Sequence, residues 1–315
     1  MSVSKILVTG ANGFIGKALV SRLLADRQYA VIGATRDKTP ANAQCQFERL
    51  DLTDPDVLPS LRDVQVIVHA AARVHVMNDV AVDALAEYRK ANVEGTLRLA
   101  KLAAASGVKR FIFISSIKVN GERTGPGRPF RADDTPAPVD AYGISKREAE
   151  DGLMKVSRDT GIEIVIIRPP LVYGPGVKAN FLNMMRWLSR GVPLPLGGLN
   201  NRRSLVALDN LVDLVITCIA HPAAANQIFL VSDGEDLSTT QLLLRMAEAL
   251  KVRVYLLPLP ETALRLAASL LGKKAMADRL CASLQVDIEK TCSLLGWSPP
   301  VSVDEALELV ANRPS

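Results

Sequence analysis

The sequence predicts an α/β chain: a doubly wound parallel sheet joined to a smaller C-terminal lobe. Three observations carry this. Short β-branched apolar runs alternate with stretches of helical periodicity, a glycine-rich turn separates the first run from the first periodic stretch, and Pro169-Pro170 breaks the pattern after the last such run. With 315 residues, 48% apolar and 23% charged, the chain can bury a sizeable core and is not of disordered composition.

Composition also narrows the function. No apolar run reaches the roughly 20 residues a membrane helix needs, so no membrane insertion is expected. Met1-Ser-Val-Ser-Lys5 leads straight into a strand pattern without the regions of a signal peptide, which predicts a cytoplasmic protein. Cys45, Cys218, Cys281 and Cys292 are scattered and only 3 histidines occur, so neither a disulfide framework nor a metal site is expected. A net charge of +5 is spread along the chain and aromatic residues make up 4%, which favours an anionic small molecule over nucleic acid.

The first strand, Lys5 to Thr9, runs into Gly10-Ala-Asn12-Gly13-Phe14-Ile15-Gly16, and Leu19, Val20, Leu23 and Leu24 then repeat at helical spacing. Strand, glycine turn and helix in this order form a dinucleotide site, because backbone without Cβ atoms can approach a pyrophosphate and the helix N-terminus favours its charge. The second strand, Ala30 to Thr35, ends at Arg36, where an acidic residue would hold the ribose hydroxyl of NAD. A guanidinium there suits a 2′-phosphate, so NADP(H) is favoured, with NAD(H) and a role for Asp37 as the alternative. The third strand, Cys45 to Leu50, leads to Asp51-Leu52-Thr53, and Asp51 is either a ligand contact or a helix N-cap. A fully apolar strand, Val64 to Val68, ends in His69-Ala70-Ala71-Ala72, small residues that let backbone lie against a ligand; His69 reads as structural.

Leu85 to Ala105 has helical periodicity interrupted by Asn92, which needs a partner to sit inside a helix. The strand Phe111 to Ser116 delivers two serines to the sheet edge where such folds hold ligands, and residues Glu122 to Val139 read as a proline-rich loop. Tyr142 and Lys146 stand four apart on the next helix, so they share a face. A lysine beside a tyrosine is expected to lower the phenol pKa, making a proton-transfer pair. Beyond the strand Ile162 to Arg168, Asp209 to Ala220 reads as a helix, Ile228 to Val231 as an edge strand, and Glu261 to Leu284 as a helix pair or a dimer surface.

Taken together, the glycine turn, Asp51-Leu52-Thr53, His69 to Ala72, the strand-end serine, Tyr142-x-x-x-Lys146 and Arg168-Pro169 to Gly174-Pro175 resemble an extended short-chain dehydrogenase/reductase of the nucleotide-sugar epimerase, dehydratase and ketoreductase group. The resemblance implies a Rossmann domain at 1–172, with 207–232 returning to it, and a substrate lobe formed by 173–206 and 233–315. It makes Ser116 rather than Ser115 the catalytic hydroxyl, beside Tyr142 and Lys146. It places Asp51 and Leu52 at the adenine, Ala70 to Ala72 and Pro169 along the cofactor, and Asn92 as a bridge to the active-site strand. Lys118, Asn180, Leu196, Arg203 and Arg279 fall to a nucleoside diphosphate sugar, UDP-linked, with Arg203 on the diphosphate. A homodimer through the helices near Leu85 and Tyr142 is implied as well.

Two positions depart from the group. Ile117-Lys118 stands where sugar 4,6-dehydratases carry an Asp-Glu pair, which removes dehydration from the expected reactions, and Asn120 replaces a tyrosine. The run Ser116 to Glu122 resembles surface-polysaccharide enzymes that reduce UDP-4-keto-6-deoxy-N-acetylhexosamines, so a 4-ketoreductase is the first expectation. A UDP-sugar 4-epimerase with tightly bound NAD is the alternative, and a non-catalytic redox sensor is the reading from another class.

Overall fold

The computed structural model describes residues 4–36, 45–74, 83–177 and 180–312, apart from the side chains of Asn180 and Ala275. β1 (Ser4–Thr9), β2 (Tyr29–Thr35), β3 (Gln46–Arg49), β4 (Val64–His69), β5 (Arg110–Ile114), β6 (Glu163–Arg168) and β9 (Gln227–Leu230) form a 7-stranded sheet in the order β3-β2-β1-β4-β5-β6-β9. Every pairing is parallel, so all the strands end on one side. The strands are apolar throughout because both faces are covered. On one face Ile6, Val8, Val66, Val68 and Ile112 pack with α1 (Phe14–Asp26) and α6 (Leu208–Ala220). On the other, Leu7, Ile67, Phe111 and Phe113 pack with α3 (Thr96–Ala105) and α4 (Ala141–Thr160). Alternation of neighbours such as Ile6, Leu7 and Val8 between the two faces is the two-residue period of a strand.

The expected helix at Leu85 to Ala105 is not uniform. α2 (Ala84–Tyr88) passes through a π-helical segment, Arg89–Gly95, before α3. The wider turn holds Asn92, and Gly95 sits where a Cβ would lie 2.4 Å from the Leu52 carbonyl oxygen. β5 stops at Ile114, so both serines lie just beyond the strand.

The rest of the chain builds around a second, 3-stranded sheet in the order β10-β8-β7, made of β7 (Leu171–Tyr173), β8 (Arg203–Ala207) and β10 (Asp236–Leu237). The prolines after β6 therefore separate two sheets by a single step. Tyr173, Leu205 and Leu243 form one core with α5 (Asn180–Ser189), α7 (Thr239–Ala249) and α11 (Val303–Asn312). α8 (Glu261–Leu270) and α9 (Lys274–Cys281) form the helix pair, and α10 (Glu289–Leu295) follows. Trp297 turns back to the large sheet, its indole N–H donating to Asp213 at 2.9 Å. Residues 122–139 form the expected loop, strapped to the second lobe by Thr124 N–H to the Ser283 carbonyl at 3.0 Å and Phe130 N–H to the Gln285 carbonyl at 2.9 Å. Among the described residues no helix is long and apolar enough to cross a membrane.

Candidate active site

At the C-terminal end of β1 the glycine turn is built by close approach. Gly10 adopts φ +66°, and a Cβ there would lie 2.8 Å from the Ala71 backbone nitrogen. A Cβ on Gly16 would lie 2.1 Å from the Gly10 carbonyl oxygen, which instead accepts from Gly13 N–H at 2.7 Å. Gly13 opens α1 and supplies no side-chain cap to the first-turn amides, which include those of Phe14 and Ile15. Open amides, a helix dipole and bare backbone fit a pyrophosphate. Asn12 is exposed, whereas the Phe14 and Ile15 side chains pack on the core.

Arg36 is exposed at the end of β2. Asp51 caps no helix; its Oδ1 accepts from Thr53 N–H and Thr53 Oγ1, each at 2.8 Å, closing a turn. Those bonds, with Arg36 and Arg49 nearby, hold its carboxyl below the usual range. Leu52 is buried and its carbonyl accepts from Arg98 at 2.8 Å. Ala70, Ala71 and Ala72 are half-buried beyond β4.

His69 is fully buried, with Nδ1 2.7 Å from Thr9 Oγ1 and Nε2 3.0 Å from Thr96 Oγ1. Burial, with Lys146 nearby, pushes its pKa down to about 3, so it stays neutral and serves the scaffold. Asn92 donates to the Arg73 carbonyl at 3.1 Å and to Ser145 Oγ at 3.1 Å, and accepts from Arg73 N–H at 2.8 Å. It therefore bridges the turn after β4 to α4, and not, as expected, to the active-site strand. Ser145 Oγ in turn donates to the Tyr142 carbonyl at 2.8 Å.

Tyr142 and Lys146 share a face of α4, with the ammonium 5.9 Å from the phenol ring centre. The expected lowering of the phenol pKa is not what this environment produces. Burial, the Asp140 carboxylate and Tyr88 raise the Tyr142 pKa well above its ordinary value. Burial also pushes Lys146 down to about 7, because an ammonium removed from water is costly to charge, with Glu150 partly opposing the shift. Lys146 Nζ donates to the Ile114 carbonyl at 2.8 Å and sits 4.4 Å from the Phe113 ring centre. Tyr88 packs edge-on against Tyr142 at 6.0 Å.

The two serines divide their tasks. Ser115 Oγ donates to Glu150 at 2.5 Å and is buried. Ser116 opens a 3₁₀ turn, Ile117–Val119, its Oγ accepting from Lys118 N–H at 3.3 Å, while among the described residues its hydrogen goes to no acceptor. Pro169, buried, holds this turn by accepting Ile117 N–H at 2.9 Å. Lys118, expected at the substrate, has its ammonium paired with Asp140 and with Glu122 at 3.3 Å. Asp140 is the N-cap of α4, accepting Gly143 N–H at 2.7 Å. Lys118 thus ties the serine turn to the start of the tyrosine helix, where a Cβ on Gly143 would lie 3.0 Å from the Lys118 carbonyl oxygen.

Behind these groups Arg168 and Glu150, both nearly fully buried, pair at 2.6 Å, and Arg168 also donates to Asn120 Oδ1 at 2.9 Å. Asn120 Nδ2 donates to the Arg131 carbonyl at 2.8 Å, which gives this departure from the family pattern a structural role. Asp140, Glu150 and Tyr88 were not singled out from the sequence. Asp140 just before a helix is a capping signal and Glu150 lies one turn beyond Lys146, whereas nothing marks Tyr88.

The second-lobe candidates fare differently. Asn180 opens α5, with its side chain outside the described residues. Leu196 is a core residue, and its carbonyl accepts from Thr240 at 2.6 Å. Arg203 donates to the carbonyls of Arg279 at 2.7 Å and Ala282 at 3.3 Å, capping the C-terminal end of α9, where a cation suits the dipole. This brings Arg203 and Arg279 together through backbone, while the Arg279 side chain is exposed.

Comparison with known proteins agrees with this geometry. A UDP-glucose 4-epimerase of Vibrio cholerae is 49% identical over 309 residues, covering 98% of this chain and 94% of that protein. The crystal structure of a UDP-glucose 4-epimerase of Thermotoga maritima with UDP-glucose superposes with a TM-score of 0.79 at 26% identity, covering 98% of this chain and 97% of that one. A UDP-glucuronic acid 4-epimerase of Bacillus cereus in complex with NAD shares the fold, with a TM-score of 0.75 at 24% identity over 98% of this chain and 97% of that one. Residues 6–232 match the model of the NAD dependent epimerase/dehydratase family, and with the glycine cradle, the Tyr142–Lys146 face and the serine turn in place, the chain belongs to that family as an extended short-chain dehydrogenase/reductase.

Proposed function

We propose that this protein is a UDP-sugar 4-epimerase that works on a retained NAD. The observation that carries the reading is the 49% identity to a UDP-glucose 4-epimerase across nearly the whole of both chains. The glycine turn Gly10 to Gly16 and Lys146 would hold NAD, which would supply reversible hydride acceptance at C4 of the sugar. The chain's own residues manage the oxygen at C4. Tyr142 exchanges its proton with that oxygen, Ser116 offers its hydroxyl hydrogen to the same atom, and Lys146 keeps two N–H donors for cofactor hydroxyls after its bond to Ile114. Burial and Asp140 favour the protonated phenol in the free protein, so release of that proton calls for added positive charge beside it.

The 4-ketoreductase expectation draws on the run Ser116 to Glu122, and within it Lys118 is engaged by Asp140 and Glu122, so its ammonium is not a free substrate contact for that reaction. The NADP preference drawn from Arg36 is set aside in favour of NAD. That guanidinium lies near the carboxylate of Asp51, and the Bacillus cereus 4-epimerase carries NAD. The two-lobe division is part of the same reading, with the cofactor on the large sheet and the sugar nucleotide toward Arg203. Purified protein given UDP-glucose or UDP-N-acetylglucosamine with no added cofactor should form the galacto epimer. Turnover only of a 4-keto sugar, and only with added NADPH, would establish the reductase. No turnover of either would leave the redox sensor.

A further inference from the structure

The exposed large apolar side chains of the second lobe concentrate in one consecutive stretch. Between α7 and α8 the chain alternates, with Lys251, Arg253, Tyr255, Leu257 and Leu259 exposed while Val252, Val254 and Leu256 pack on the core. α8 then turns an apolar stripe outward. Ala263, Leu266, Ala267 and Leu270 recur at i, i+3, i+4 and i+7 and are all exposed, Leu266 to 65% and Leu270 to 81%, with Leu271 at 73% just beyond. Its inner side holds the buried Ala268 and the half-buried Leu264, which packs on the second-lobe core. Both exposed runs are bordered by cations, Lys251 and Arg253 before the first, Lys273 and Lys274 after the second. Among the described residues these four make no ion pair, while Glu261 and Asp278, the acids of the helix pair, are engaged by Arg265.

We infer that this stretch is a peripheral docking surface for an anionic lipid bilayer, with leucines entering the headgroup boundary and the four cations meeting lipid phosphates. The arrangement matches what an interfacial helix requires, an apolar stripe flanked by basic residues and too short to span. A second copy of the chain fits less well. A symmetric contact would set the cations of one copy against those of the other, with both acids of the helix pair already engaged by Arg265. Nucleic acid would leave the leucines in water.

The test uses the full-length purified chain in sedimentation with vesicles of phosphatidylglycerol and phosphatidylcholine, against vesicles of phosphatidylcholine alone. The expected result is binding to the anionic vesicles only. Binding should fall roughly tenfold or more in Leu266→Ser/Leu270→Ser/Leu271→Ser and, separately, in Lys273→Glu/Lys274→Glu. Thermal unfolding midpoints of both variants reveal any folding defect, and the charge-reversal variant keeps the test decisive if the serine variant folds poorly. Failure of the parent chain to bind anionic vesicles overturns the proposal. So does a light-scattering mass showing a dimer that the serine substitutions split, which would make the face a contact between copies.

Discussion

The two lobes treat polarity in opposite ways. Behind Tyr142 the first lobe buries polar groups and satisfies them: Ser115, Glu150, Arg168 and Asn120 form one chain of bonds, and Thr9, His69 and Thr96 another. Between residues 251 and 274 the second lobe leaves leucines in water and, among the described residues, Lys251, Arg253, Lys273 and Lys274 without ion pairs. A buried network with every partner supplied fixes atoms to one geometry, which is what proton transfer at a single oxygen needs. An exposed apolar rim has no internal partner to fix it and suits contact with something outside the molecule.

Three experiments sharpen that contrast, beginning with the largest effect. Tyr142→Phe removes the exchanging proton and should lower turnover by about 10²–10⁴-fold while fluorescence titration shows cofactor binding retained. If turnover is unchanged, the first lobe's network serves no proton transfer. Next, Arg168→Met leaves Glu150 charged and buried without its partner, and urea unfolding should show a loss of about 3–5 kcal/mol. Leu270→Ser, by contrast, should stay within about 0.5 kcal/mol of the parent. Equal losses in the two variants would erase the distinction between the lobes.

The last effect is a gradual pH slope. His69 has a folded-state pKa near 3, depressed from the 6.5 of the unfolded chain. Between those values the unfolded state takes a proton that the folded state refuses, so stability is lost as pH falls from 6.5 toward 3, by roughly 1 kcal/mol per pH unit from this residue. Unfolding midpoints measured across that window should fall less steeply in His69→Gln than in the parent chain.

How far each site could be foreseen follows from what fixes it. Gly10, Gly13 and Gly16 are set by backbone needs between near neighbours, and those needs leave a pattern that can be read. The alternation of strands and helices likewise foretold the large sheet and the helix pair after Glu261. Asn120 stayed opaque because its partner, Arg168, is 48 residues away. The bond of Arg203 to a helix end 76 residues on likewise leaves no local sign. Lys146 shows a different limit. Four-residue spacing foretold the shared face with Tyr142, but burial reversed the expected direction of the phenol's pKa, and depth of burial is a property of the assembled fold. The small sheet of β7, β8 and β10 escaped notice since its strands are short and come from distant parts of the chain.

The parallel pairing of β6 with β9 carries a consequence for how the molecule comes into being. Between Arg168, the last residue of β6, and Gln227, the first of β9, lie the first part of the second lobe and α6. A ribosome needs on the order of several seconds to make that stretch, and for that interval the nascent sheet presents β6 as an open, apolar edge. Until β9 emerges, the half-made chain is at its most prone to join a neighbour's strand, so the window for chaperone rescue is set by the order in which the strands are translated.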